Sequence, residues 1–149
     1  MSEIALDLRD PDSFSYWTDV TIRFSDQDPN AHVNNTAFPI YAEAGRIDYL
    51  RAVRAHLGIE IRAVLANVNI DYINQLYYPG TVKAGTRLTR LGSKSFVLSQ
   101  GLFSNEAKAE RLVATSTAVL VFFNYQTNET LPVPDVLRRA FDAGDPLTP

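Results

Sequence analysis

Residues 36–56 constrain the fold more than any other part of this chain. Plotted as a helix, at about 100° per residue, Phe38, Ala42, Gly45 and Tyr49 fall on one stripe. Ile40, Ala44 and Ile47 fall on nearly the opposite one. A helix that is apolar around most of its girth is expected to be buried on most sides. Its small residues (Ala42, Ala44, Gly45, Ala52) let other backbone approach closely. Asn34, Asn35 and Thr36 all suit its cap, Thr36 best, because Pro39 then falls in the first turn. Gly58 ends it.

On either side of this helix the pattern has a period of two, the mark of half-buried strands. Before it, Tyr16, Thr18, Val20, Ile22 and Phe24 alternate with Trp17, Asp19, Thr21 and Arg23. After it, Val64, Ala66, Val68, Ile70 and Tyr72 alternate with Leu65, Asn67, Asn69 and Asp71. Turns at Tyr77-Tyr78-Pro79-Gly80, Leu91-Gly92-Ser93-Lys94 and Ser104-Asn105-Glu106 separate three further strands. The last runs from Leu112 to Tyr125 and is apolar on both faces. Such short connections imply antiparallel hairpin neighbours. A short helix opened by Pro134 follows. The expected architecture is α+β: a curved five-stranded antiparallel sheet wrapped around one central helix.

The 149 residues suit a single domain, with residues 1–15, rich in Asp, Ser and Pro, as a flexible arm. The absence of Cys excludes disulfides, thiolate metal sites and a Cys nucleophile. Only His32 and His56 are available as imidazole ligands, so no metal is expected. A net charge of -3 argues against a nucleic-acid partner. No apolar run reaches the ~20 residues of a membrane span, and the acidic start does not read as a secretory signal. The expectation is a cytoplasmic protein with no membrane partner.

The dense polar cluster Asp26-x-Asp28-x-x-x-His32-x-Asn34-Asn35 stands immediately before the helix. Free N–H groups at a helix start favour developing negative charge. A carboxylate just upstream supplies the other half of an acyl-transfer site, a nucleophile or base. Asp26 and Asp28 also suit plain turn and capping roles. Glu43 and Arg46, at i and i+3, suit a helix-surface ion pair, although a carboxylate on so apolar a helix calls for a partner.

The block Arg23-Phe24-Ser25-Asp26-Gln27-Asp28-Pro29-Asn30-Ala31-His32-Val33-Asn34-Asn35, with Phe38 and Glu43-Ala44-Gly45-Arg46 after it, resembles the signature of hotdog-fold thioesterases. The resemblance is to the 4-hydroxybenzoyl-CoA thioesterase-like branch. It continues through Val68-x-Ile70-x-Tyr72, Leu91-Gly92-Ser93-Lys94-Ser95-Phe96 and Leu131-Pro132-Val133-Pro134. It implies the hotdog fold and an acyl-CoA thioesterase that releases a carboxylic acid and a free thiol with no metal or organic cofactor. Asp28 then matches the catalytic aspartate, nucleophile or base, and Asn35 the backbone N–H that polarises the thioester carbonyl. Some relatives use a helix Glu instead, which makes Glu43 the alternative catalyst. His32, Asn34 and Lys94 match substrate-binding positions, Lys94 against coenzyme A phosphates. Ala31 departs from the usual glycine. Phe38, Tyr41, Tyr72, Tyr77 and Tyr78 suit an acyl pocket or a core. The resemblance further implies a homodimer or homotetramer, with the sheet continuing across the dimer and the site shared. An acyl-carrier-protein thioesterase and a non-catalytic acyl-binding hotdog protein are the alternatives.

Overall fold

The computed structural model of the chain describes residues 2–106 and 109–147. The elements run β1 (Ser2–Glu3), β2 (Trp17–Thr21), α1 (Phe38–Leu57), β3 (Ala63–Tyr72), β4 (Thr81–Leu91), β5 (Ser95–Glu106), β6 (Ala109–Asn124), β7 (Glu129–Thr130) and α2 (Asp135–Asp142). The five long strands form a sheet in the order β2-β4-β5-β6-β3, with the short β1 and β7 beside β4 and β6. Every pairing is antiparallel. The architecture is the expected α+β hotdog, a curled five-stranded sheet around one long helix.

Register explains how α1 seats on the sheet. Thr86, Gln100, Ser116 and Ile70 lie in one row across β4, β5, β6 and β3. Gln100, fully buried, donates from Nε2 to the Ala42 carbonyl at 2.9 Å and to Thr86 Oγ1 at 3.0 Å, tying helix to sheet. A Cβ at Gly45 would lie 2.7 Å from that same Nε2, so only glycine allows this approach. Further along, the Leu88 N–H, next to a bulge in β4, donates to the buried Tyr49 hydroxyl at 3.1 Å. On the β2 flank Asp48 accepts from Tyr16 and Thr18 hydroxyls at 3.0 and 2.7 Å.

Phe38, Ala42, Gly45, Tyr49 and Val53 are the buried stripe of α1. The opposite stripe is not covered: Ile40 and Ile47 are 52% and 51% exposed. The expectation of burial on most sides fails for the single chain, because the sheet curls beneath the helix without closing over it. The helix also starts later than expected. Residues 35–37 form a 3₁₀ turn whose cap is Asn34, not Thr36, since Asn34 Oδ1 accepts both the Thr36 N–H and the Thr36 hydroxyl at 2.9 Å.

The N-terminal segment runs along the outer face of the sheet. The Ile4 N–H donates to the Thr89 carbonyl at 2.7 Å, and Phe14 is buried over the glycine pair Gly85 and Gly101. A side chain on either glycine would collide with that segment. At the other edge of the sheet β3 pairs with β6 alone among the described residues. Leu65, Val68 and Tyr72 on it are exposed. No helix among the described residues is long and apolar enough to cross a membrane.

Candidate active site

The loop between β2 and α1 is built around two carboxylates with opposite fates. Asp26 is buried, accepting the Arg23 N–H at 2.9 Å, two Arg23 guanidinium N–H groups at 3.1 and 3.0 Å, and the Tyr41 hydroxyl at 2.7 Å. Burial by itself would raise this carboxyl. The hydrogen bonds from the Arg23 backbone, the Tyr41 hydroxyl and the Arg23 guanidinium, with that cation's charge, outweigh it and hold the group below its ordinary value. Tyr41 is pushed up in turn, by burial first and by its bond to Asp26 second. Asp26 is thus an anchor, and its role is structural.

Asp28 points elsewhere. Its N–H donates to the His32 carbonyl at 2.9 Å, its own carbonyl accepts the Ala31 N–H at 3.2 Å, and Gln27 bridges to Val33. This tight loop places Ala31 at φ 65°, the left-handed conformation that the usual glycine reaches without steric cost. The loop is fastened where the Val33 N–H meets the Leu76 carbonyl and the Asn34 N–H meets the Asp26 carbonyl, both at 2.8 Å. Asp28 Oδ1 accepts the Asn30 N–H at 2.8 Å, and Oδ2 lies 3.4 Å from His32 Nδ1.

Asp28, His32 and Asn35 come together on one cleft of about 300 Å³, with Val33, Phe38, Tyr72, Ile73, Asn74 and Gln75 as its other walls. Asn35 begins the 3₁₀ turn, and among the described residues no acceptor takes its N–H. A carboxylate and a backbone donor without an acceptor, on residues that line one cleft, are the groups that attack on and polarisation of one carbonyl require. Tyr72 and Phe38 pack with ring centroids 5.2 Å apart, giving the cleft an aromatic wall.

The other expected residues lie elsewhere. Asn34 acts through its cap and does not line the cleft. Glu43 is exposed on α1 and lies outside it. Lys94 sits in the β4–β5 turn, where Nζ donates to Thr130 Oγ1 at 3.1 Å and the Lys94 carbonyl accepts from Phe122, the partner strand position of Ala63. Lys94 therefore lies level with the first residue of β3, across β6 from it, and the cleft lies beside the last, ~30 Å apart along the strand at ~3.3 Å per residue. Tyr41 is committed to Asp26, while Tyr77 and Tyr78 are exposed on the loop after β3. Sequence reasoning misses Ile73, Asn74 and Gln75 as cleft residues. The one signal for them is their place at the end of a strand that carries Tyr72. Among the described residues no three His, Asp or Glu side chains gather as a metal site.

The profile of the thioesterase-like superfamily matches residues 22–141. The uncharacterized protein YsmA of Bacillus subtilis (strain 168) is 30% identical over 87 residues, 58% of this chain and 59% of that protein. The chain thus spans less than two thirds of that curated relative. Among solved structures, a predicted thioesterase from Bacillus stearothermophilus is 29% identical, with a TM-score of 0.73 over 86% of this chain and 94% of that one. A thioesterase from Thermus thermophilus, complexed with coenzyme A and zinc, is 28% identical, with a TM-score of 0.72 over 87% and 93%.

Proposed function

This chain belongs to the thioesterase-like superfamily, and from that premise we propose that it is an acyl-CoA thioesterase. One observation carries the reading: Asp28 and Asn35, whose N–H no described acceptor takes, line one cleft. The thioester carbonyl oxygen sits on that N–H. Asp28 then either attacks the acyl carbon, expelling the thiolate and leaving a mixed anhydride for water to open, or takes the proton of an attacking water. Both routes consume one water and yield a carboxylate and a thiol. Negative charge that develops on the carbonyl oxygen is met by a donor already in place. His32 and Asn34 support this arrangement, His32 beside the reacting carboxylate and Asn34 by forming the turn.

Coenzyme A as the thiol carrier is supported by Lys94 and by the T. thermophilus relative that holds it. Lys94 lies too far from the cleft of its own chain to serve it. An antiparallel pairing of β3 with β3 of a second copy, across the open edge, would bring Lys94 of that copy to the Asp28 end. Exposed Leu65, Val68 and Tyr72 suit such a seam, since an unpaired apolar edge invites a strand. The working unit is therefore a homodimer, or a homotetramer built from it.

The test is free-thiol release from short, long and aromatic acyl-CoAs, beside acyl carrier protein thioesters. Turnover confined to the carrier-protein substrates would replace coenzyme A as the carrier. No turnover on any thioester would leave an acyl-binding protein.

A further inference from the structure

Tyr72, the last residue of β3, stands half exposed in the cleft and reaches across to the start of α1. Its hydroxyl donates to the Asn35 carbonyl at 3.0 Å. That carbonyl already accepts the Phe38 N–H, so both of its lone pairs are engaged. The Asn34 side chain holds the Thr36 N–H of that same peptide, and the preceding peptide, which carries the Asn35 N–H, is held at the Asn34 carbonyl by the Ala37 N–H at 3.0 Å. The two peptides flanking Asn35 are thereby fixed from the turn and from the sheet. Among the described residues its own N–H has no acceptor.

We propose that Tyr72 is a positioning residue for thioester hydrolysis, its hydroxyl holding the turn that aims the Asn35 N–H at the thioester carbonyl. The proposal rests on the thioesterase reading above. A donor serves a developing oxyanion only if it is oriented before the charge appears, and small misplacements of reacting groups are costly in rate. A phenyl ring would give the same contact with Phe38 and the same cleft wall. The hydroxyl adds the link between the sheet and the turn. Because β3 is also the open edge of the sheet, whatever pairs with β3 is connected through Tyr72 to the Asn35 turn.

The experiment compares wild type and Tyr72→Phe on the acyl-CoA that the wild type hydrolyses best, with amide hydrogen exchange and Tm recorded on the same samples. Expected is a kcat lowered roughly 5–10-fold with KM within about twofold, the size of one lost hydrogen bond. Exchange should quicken at residues 34–37 while Tm stays unchanged. Tyr72→Leu, which also loses the ring, should raise KM as well. Unchanged kcat, or unchanged exchange at 34–37, overturns the role of Tyr72. A lower Tm with exchange quickened throughout the chain overturns it too, in favour of a general packing role. A wild type that hydrolyses no thioester overturns the hydrolase reading itself, an outcome distinct from a hydrolytic wild type matched by its Tyr72→Phe variant.

Discussion

Oδ2 of Asp28 lies 3.4 Å from Nδ1 of His32, four residues along a loop that folds back on itself. Oδ1 accepts the Asn30 N–H, while Oδ2 has the imidazole beside it, and both residues line the cleft. The two side chains are only 15% and 27% exposed.

Asp28→Asn keeps the shape of this loop but removes the carboxylate proposed as nucleophile or base. Steady-state kinetics should show kcat down ~10²–10⁴-fold, with binding of a non-hydrolysable acyl-CoA analogue retained. Glu43→Gln, on an exposed face outside the cleft, should cost little rate. A dead Glu43→Gln beside an active Asp28→Asn would move the reaction to α1.

Ala31 holds φ 65° inside that loop, a conformation that a Cβ makes costly. Ala31→Gly should raise the unfolding free energy by roughly 0.5–1 kcal/mol despite the added freedom of the unfolded chain. A denaturant titration checks this. Turnover should change little, since the loop keeps its path.

Asp26 predicts a pH signature. Its carboxyl sits below the ordinary value of 3.8 in the folded chain, so its contribution to stability is fully present above about that pH and is lost as pH falls through the lower folded value. At pH 7, Asp26→Asn should cost ~1–3 kcal/mol, the size of a hydrogen bond to a charged group. The gap between wild type and variant should close as acid is taken below about pH 4. A gap that stays constant from about pH 7 to about pH 2 would remove the charge on Asp26 from the account.

The proposed sharing of the site between two copies makes a sharper prediction for Lys94. Lys94→Glu should raise KM for acyl-CoA, most at low salt, and leave a thioester without the nucleotide unaffected. Light scattering should give at least twice the chain mass of 16.6 kDa. Mixing Asp28→Asn with Lys94→Glu chains after unfolding and refolding should restore activity at low acyl-CoA, because random pairing leaves roughly a quarter of the sites intact. A mixture no better than its parents would place Lys94 and Asp28 of one site on one chain.

The elements and the order in which they occur are local properties of the chain. The 3.6 period of residues 38–57, the alternation of 63–72 and 81–91, and the turn at 91–95 are written in neighbours two to four positions apart. The local hydrogen bonds that read them are set at the same short range. The cluster from Asp26 to Asn35 is legible for the same reason, as a polar loop abutting a helix start. What separates Asp26 from Asp28 is not legible, because it depends on Tyr41 and on a loop closed by Leu76, contacts made only once the sheet has formed. The exposure of Glu43, Ile40 and Ile47 follows from how far the sheet curls, which no local pattern encodes. Tyr72, Asn74 and Gln75 reach the cleft, and Lys94 is carried to the opposite end of β3, through the pairing of β3 with β6. Strand register of that kind joins residues far apart in the chain, so the cleft belongs to the tertiary structure even though each of its residues is in plain view.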